Sequence, residues 1–307
     1  MLFGKPLDVR AEQWRVFLEM AVEPVKDKPL FLSGGMDSVT IAAAAVALGG
    51  SPPCYTFRLA GGRLPDFKNA ERVAGELGLT FNEIVIPRDV ETAVEDIRRV
   101  GRLLPSRDWV KKTVIQCGIP FLYLADAVRK DGFDSAITGM AAICSHLGEG
   151  MWRNESELAK LKYRTKQFFD VYANTADAAI VLCSAAGGIA LFDIYRIEPL
   201  RSFGLTIDFA EMNRPRQKGI ALRSYPEFFN RGFWRENESL QIGSGLREFH
   251  DVALINDEAV NTFGVKESAA LYRRLMPAGT FGVERAHALE FWQAVKSEFR
   301  ENHPREW

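Results

Sequence analysis

The chain has 307 residues, of which 47% are hydrophobic and 26% charged, and these values exclude a disordered or fibrous protein. Its 39 basic and 40 acidic side chains give a net charge of −1, so no overall field attracts nucleic acid or an anionic membrane. Composition therefore favours a small-molecule substrate, and nucleic acid is a less favoured partner that would need a local basic patch.

Strands and helices alternate along the first half of the chain. The predicted helices span residues 8–23, 39–48, 66–77, 89–100 and 119–130. The predicted strands span residues 29–32, 54–59, 80–86 and 134–138. This alternation predicts an α/β fold with a parallel, doubly wound sheet.

The second half of the chain has a different composition. Residues 151–169 are charged and predicted to be helical, whereas the apolar residues 178–200 are predicted to form two buried strands joined by a turn. Gly243 and Gly245 predict turns, and a closing helix is expected over 284–299. We therefore expect a domain over residues 1–200 and a mostly helical C-terminal region, 201–307, that completes the site.

Two further features concern the compartment. The first residues lack the basic and apolar segments of a secretion signal, and the apolar run at 178–192 is too short to cross a bilayer. We expect a cytoplasmic protein with no membrane contact.

The four cysteines form no C-x-x-C pair and are expected to be mostly buried reduced thiols. They are Cys54, Cys117, Cys144 and Cys183.

The richest chemical signal is a glycine loop between the first predicted strand and the following helix, residues 33–38. Its glycine pair allows backbone N–H groups to approach an anion at the positive end of the helix, and Ser33 and Ser38 add hydroxyl donors. Asp37 does not favour a bare anion and is explained as a ligand of Mg²⁺. The loop is neither a Walker A motif nor G-x-G-x-x-G, which disfavours kinase-type transfer and dinucleotide binding.

This loop, Ser-Gly-Gly-Met-Asp-Ser, resembles the pyrophosphate loop (PP loop) of the N-type ATP pyrophosphatases. The part of the chain after the loop resembles the same part of the synthetase domain of asparagine synthetases, at residues 55–57, Asp66 and 70–78. Two later segments, 198–201 and 213–219, resemble late segments of that domain. The fold implied is that of the adenine nucleotide alpha hydrolases, and the cofactors implied are ATP and Mg²⁺.

The resemblance implies roles for particular residues. Asp37 would hold Mg²⁺, and Lys218 or Arg216 would neutralise the departing pyrophosphate. The nucleotide would contact residues of the loop, the first two strands and the loop after a later strand: Leu32, Ser33, Gly34, Gly35, Asp37, Ser38, Thr56, Phe57 and Gly139. An adenylate formed on a substrate oxygen would then be displaced by ammonia or an amine.

Two departures from the asparagine synthetases limit this resemblance. No catalytic cysteine follows Met1, so the chain is not expected to hydrolyse glutamine, and a partner that supplies ammonia stays open. The loop at 138–144 lacks the family's acidic pair, for which Glu149 is a displaced substitute at the metal. Asparagine synthesis itself is therefore not expected.

Alternatives remain for these residues and for the whole chain. Lys218 and Arg216 fit a solvated basic surface equally well, and Glu149 fits an exposed loop acid better. The first hypothesis is an ATP-dependent ligase or amide synthetase. The second is a PP-loop enzyme that inserts sulfur or nitrogen into a nucleobase or tRNA, with Cys144 as a candidate sulfur carrier, and the third is a non-catalytic nucleotide-binding module.

Overall fold

The computed structural model describes residues 8–62, 64–142, 154–170, 174–233, 240–253, 272–273, 275–276 and 279–302. The strands are β1 Leu30–Phe31, β2 Cys54–Leu59, β3 Phe81–Ile86, β4 Ser135–Thr138 and β5 Ala190–Asp193. The helices up to β5 are α1 Val9–Val22, α2 Met36–Ala47, α3 Pro65–Leu77, α4 Val90–Leu103, α5 Lys112–Lys130, α6 Glu157–Phe169 and α7 Thr175–Ala186. After β5 follow α8 Leu200–Thr206, α9 Phe209–Met212, α10 Gly219–Ser224, α11 Pro226–Phe228, α12 Leu240–Gly243, α13 Leu246–Ala253 and α14 Arg285–Asn302.

The five strands form one sheet in the order β3-β2-β1-β4-β5, and every neighbouring pair is parallel. The predicted α/β fold with a parallel doubly wound sheet is therefore confirmed. The short strand β1 lies at the centre, so the loop that follows it emerges between the carboxyl ends of β2 and β4. In open parallel sheets ligands bind at this edge, where the strand order reverses.

Helices cover both faces of the sheet because side chains alternate along each strand. On β1, Leu30 packs in a core with α1, α2 and α3, whereas Phe31 packs in a second core with α4, α5 and α7. Residues of the C-terminal region, such as Tyr225 and Phe233, are fully buried in the first core. The boundary at residue 200 stays a prediction.

The prediction of two strands over 178–200 was wrong. Most of the segment's first half lies in helix α7, Thr175–Ala186, and β5 is its only strand among the described residues. Asn174 caps the helix by accepting a hydrogen bond from the N–H of Ala176 at 3.0 Å. Alanine and leucine favour helix, and α7 is buried against α5, so its apolar run has no polar face that would reveal a helical period.

The buried-thiol prediction is confirmed for Cys54, Cys117 and Cys183, which are free and buried. Cys144 and Glu149 lie outside the described residues. Among the described residues, no helix combines the length and apolar character that a membrane crossing needs.

Candidate active site

The glycine loop between β1 and α2 lies directly against the first turn of α3. Gly34 has a φ of +77°, in the left-handed region that favours glycine. A Cβ atom at this position would lie 2.1 Å from the carbonyl oxygen of Asp66 and 2.9 Å from the amide nitrogen of Ala70. The loop therefore requires glycine here for two independent reasons, conformation and space.

The two serine hydroxyls of the loop bind to the loop itself. Ser38 Oγ donates to the carbonyl oxygen of Gly35 at 3.1 Å and accepts from the N–H of Ser33 at 3.1 Å. It also lies 3.0 Å from Ser33 Oγ. These hydrogen bonds hold the curve of the loop and keep both hydroxyls at the cavity that it borders.

Helix α2 begins directly after the loop, with Gly35 at its N-cap and no side chain capping it. The N–H groups of a first helical turn lack intrahelical acceptors and carry the positive end of the helix dipole. This helix end is therefore suited to binding an anionic oxygen.

Asp37, in the first turn of α2, is held by two residues from later in the chain. Lys218 Nζ donates to its Oδ1 at 2.7 Å and to its Oδ2 at 2.6 Å. The lysine side chain is only 5% exposed, whereas that of Asp37 is 26% exposed. The Tyr195 hydroxyl donates to the carbonyl oxygen of Asp37 at 3.0 Å, and burial raises the pKa of this tyrosine well above its ordinary value.

A tight turn delivers Lys218 to this point. Lys218 has a φ of +58°, which is uncommon for a residue with a side chain. Its N–H donates to Asn213 Oδ1 at 3.0 Å. A Cβ at Gly219 would lie 2.0 Å from the carbonyl oxygen of Arg214, so the next position requires glycine. The turn is specified by its sequence, and its buried lysine is not part of a solvated basic surface.

A cavity of about 330 Å³ opens at the carboxyl edge of the sheet beside the loop. Thr56 and Phe57 of β2 line it, and Thr56 Oγ1 donates to the carbonyl oxygen of Leu32 at 2.6 Å. Gly139, after β4, closes the other side: a Cβ there would lie 3.1 Å from the amide nitrogen of Ser38. The cavity thus combines an apolar wall with anion-binding groups, as a nucleotide site requires.

Two comparisons with known proteins bear on this site. A family model described as asparagine synthase matches residues 18–142. The 7-cyano-7-deazaguanine synthase of Paramagnetospirillum magneticum (strain ATCC 700264 / AMB-1) is 36% identical over 105 residues, which are 33% of this chain and 43% of that protein. The match therefore spans less than half of the relative's length.

The asparagine synthase match includes the motif at residues 33–38 and the elements around it. This part of the chain is similar to the PP-loop domains of the ATP pyrophosphatases. Residues 18–142 run from within α1 to just after β4 and so include Asp37 and Gly139. Lys218 and Tyr195 lie beyond the matched region, and the structure joins them to it.

Most of the predicted site residues lie around one cavity. Those that line it are Leu32, Ser33, Gly35, Asp37, Ser38, Thr56, Phe57 and Gly139. Gly34 lies on the side of the loop that faces α3. Lys218 is not among the lining residues but donates to Asp37, which is. Arg216 is exposed and is not among the lining residues. Between the two candidates for the countercharge, the structure brings Lys218 to the PP loop; the catalytic roles themselves stay predictions.

The sequence analysis missed two residues that contact the PP loop. Tyr195 follows β5 in a short helical turn, and no motif marks it. Asn69 donates from Nδ2 to the carbonyl oxygen of Gly34 at 2.7 Å. In the sequence, Asn69 stands on the buried face of α3, where the other residues are apolar. An amide at such a position needs a hydrogen-bond partner, and this was the available sign of a contact.

Asp37 would be a protein ligand of the Mg²⁺ that the PP-loop resemblance implies. No group of three or more His, Cys, Asp or Glu side chains suited to a metal occurs in the described part of the chain. A single carboxylate with substrate phosphates is a usual arrangement for Mg²⁺, so the residues fit the ion, which would offset phosphate charge. Both oxygens of Asp37 accept from Lys218, so a bound metal would compete with the ammonium for this carboxylate.

Proposed function

We propose that this chain is an ATP-dependent ligase that adenylates an oxygen of an acceptor. The acceptor oxygen attacks the α-phosphorus, the bond to the β-phosphate oxygen breaks, and pyrophosphate leaves. Ammonia or an amine then attacks the carbon that bears the adenylate, the C–O bond breaks with release of AMP, and the nitrogen loses a proton.

The main observation in favour is the Asp37–Lys218 pair beside the PP loop. A leaving pyrophosphate gains negative charge, and an ammonium in a largely buried position beside the loop offsets it better than one in bulk water. Lys218 lies 2.6 Å from Asp37 and is 5% exposed. Asp37 would hold Mg²⁺, which would supply positive charge to the phosphates, and Lys218 would supply its ammonium beside the same loop. Loop N–H groups, hydroxyls and Lys218 then act mainly by positioning and charge neutralisation.

The cavity supports a small acceptor. It holds about 330 Å³ and is bordered by apolar side chains such as Phe31, Phe121, Leu124 and Ile180 in addition to the PP loop. Pockets of this size bury a small molecule rather than a protein surface. The nitrogen would come from solution or from a partner that supplies ammonia.

A second candidate is modification of a nucleobase. It is favoured by the similarity to a protein named as a synthase of a deazaguanine. The reaction would keep the adenylation step and would use a ring oxygen as the acceptor atom, with nitrogen as the entering group. A related reaction would insert sulfur instead of nitrogen, with Cys144 as the sulfur carrier. Cys144→Ala tests it, because undiminished turnover would show that this thiol takes no part in the reaction.

The test is product analysis with α-labelled ATP and Mg²⁺ in ¹⁸O-water, using pooled metabolites or RNA as acceptors. We expect AMP and pyrophosphate, without ¹⁸O in the AMP, because its new oxygen comes from the acceptor. Asp37→Ala and Ser33→Ala should abolish turnover, whereas the exposed Asp108→Ala should not. ADP would contradict the proposal, ¹⁸O-AMP would indicate hydrolysis, and ATP binding with no turnover under any acceptor would favour the binding module.

A further inference from the structure

The carbonyl group of Gly34 is fixed by a buried side chain that no motif includes. Asn69 is 9% exposed and lies in α3 next to Ala70, whose amide faces the back of the loop. Its Nδ2 donates to the Gly34 carbonyl oxygen at 2.7 Å, and its Oδ1 accepts from Arg72 Nη2 at 2.8 Å. One partner is only an acceptor and the other only a donor, so the orientation of the amide is determined.

Arg72 connects this amide to the C-terminal region. The same Nη2 donates to the carbonyl oxygen of Gly232 at 2.7 Å, and the guanidinium lies 5.3 Å from the ring centre of Phe233. Phe233 is fully buried in the core beneath. Arg72 therefore occupies a defined position, which in turn fixes Asn69.

The orientation of the Gly34 carbonyl decides where the next N–H points. In a trans peptide unit the C=O of one residue and the N–H of the next point in opposite directions. With the Gly34 carbonyl directed at Asn69, the N–H of Gly35 is directed away from α3. It lies 3.3 Å from Ser33 Oγ, and Gly35 borders the cavity.

A reversal of this peptide would place a carbonyl oxygen where an anion should bind. Glycines flank the peptide on both sides, and they oppose such a reversal less than other residues do. Within the loop, the Gly35 N–H donates to Ser33 Oγ at 3.3 Å and favours the observed orientation. The hydrogen bond from Asn69 acts on the other end of the same peptide, and it is the shorter of the two at 2.7 Å.

The geometry points to Asn69 and Arg72 as positioning residues that hold the Gly34–Gly35 peptide in the orientation that binds pyrophosphate. This inference rests on the proposed function, since it assigns the bound anion to the pyrophosphate part of ATP. Neither residue touches the substrate. Their effect is therefore expected on ligands that carry the β- and γ-phosphates and not on AMP.

The decisive variant is Asn69→Asp, which keeps the shape of the side chain and its acceptor for Arg72 but removes the donor. Affinities of the full chain for pyrophosphate, ATP and AMP would be measured by calorimetry with Mg²⁺, together with melting temperatures. We expect pyrophosphate and ATP to bind about tenfold more weakly to N69D, the loss of one hydrogen bond plus repulsion between two oxygens. AMP affinity should match that of the wild type, and the melting temperature should fall only modestly because the new carboxylate still accepts from Arg72. Glu76→Gln removes the charge of a surface partner of Arg72 and Arg231. It is the matched control and should bind all three ligands normally.

A pH series separates positioning from a structural effect. Acidification protonates the new carboxyl and restores a donor toward Gly34. The pyrophosphate affinity of N69D should therefore approach that of the wild type as the pH is lowered toward 5. Arg72→Lys should show a smaller loss, because an ammonium replaces only part of the guanidinium fork. Equal pyrophosphate affinity of N69D and wild type, or an equal loss for AMP, would overturn the inference alone. A wild-type chain that binds neither pyrophosphate nor ATP would overturn the proposed function as well.

Discussion

Replacing Lys218 by methionine removes one ammonium from the PP loop and keeps most of the side-chain volume. Its two hydrogen bonds to Asp37, at 2.7 and 2.6 Å, join charged groups, and such bonds contribute about 1.5–3 kcal/mol each. Asp37 is 26% exposed, so water replaces part of what the carboxylate loses. We therefore expect K218M to lower the free energy of unfolding by only about 1–2 kcal/mol, less than for a fully buried pair.

The effect of K218M on turnover should be larger than its effect on stability. Water that enters in place of the ammonium must reorganise as pyrophosphate leaves, whereas the ammonium is already positioned. Loss of one such preorganised group slows a reaction by about 10²–10³-fold. The rate of AMP and pyrophosphate formation under saturating ATP measures this directly, and urea unfolding measures the change in stability.

Two further variants make the result interpretable. Lys28→Met removes a lysine that is 33% exposed and pairs with Asp134, so it should leave turnover unchanged. The double variant D37N/K218M removes both charges and should recover most of the lost stability but none of the turnover. If the turnover of K218M lies within about threefold of wild type, Lys218 does not neutralise the leaving pyrophosphate, because the loss of a preorganised charge has a far larger effect.

Other consequences of the structure can be measured on single variants. Gly34→Ala should abolish ATP binding and lower the melting temperature, because its Cβ would lie 2.1 Å from a carbonyl oxygen. The control is Gly49→Ala, where φ is also positive at +74° but no atom lies within 4 Å of the new Cβ. This variant should lower the free energy of unfolding by only about 1 kcal/mol and bind ATP normally. Burial raises the pKa of Asp193 to about 7, so the folded state retains a proton that the unfolded state releases near pH 4. Its contribution to stability therefore falls as pH rises from about 4 to 7, and the difference in unfolding free energy between wild type and Asp193→Asn should fall over the same range in urea titrations. Burial also raises the pKa of Cys54 and Cys117 to about 12, and peptide mapping should find both unlabelled after brief exposure of the native chain to iodoacetamide at pH 8.

The PP loop and its fold could be predicted from the sequence because their determinants are local. A short apolar strand, a glycine pair and an alanine-rich helix follow one another within 20 residues, and the structure gives β1 and α2 at these positions. Helix α7 could not be recognised, because a helix buried on all sides has no polar face and its apolar run is also compatible with strands. Length and the asparagine cap at Asn174 were the available signals that favoured a helix.

The rest of the site depends on contacts between distant parts of the chain. Tyr195 and Asn69 are ordinary residues in their own segments, and only folding brings a hydroxyl to Asp37 and an amide to Gly34. Lys218 was proposed from a resemblance, with Arg216 as an equal alternative. Burial distinguishes them, since Lys218 is 4% exposed and Arg216 lies at the surface. Which of two neighbouring basic residues is buried depends on the tertiary structure and cannot be read from the sequence.

The hydrogen bonds between Asp37 and Lys218 join positions 181 residues apart. Chains are synthesised at roughly 5–20 residues per second, so on the order of 10–40 s separates the appearance of the two residues at the ribosome. During this interval the emerging chain holds the phosphate-binding loop but not its ammonium. With the roles proposed above for the loop and Lys218, we expect the nascent protein to acquire affinity for phosphate before it can release pyrophosphate, so that an incomplete chain does not consume ATP.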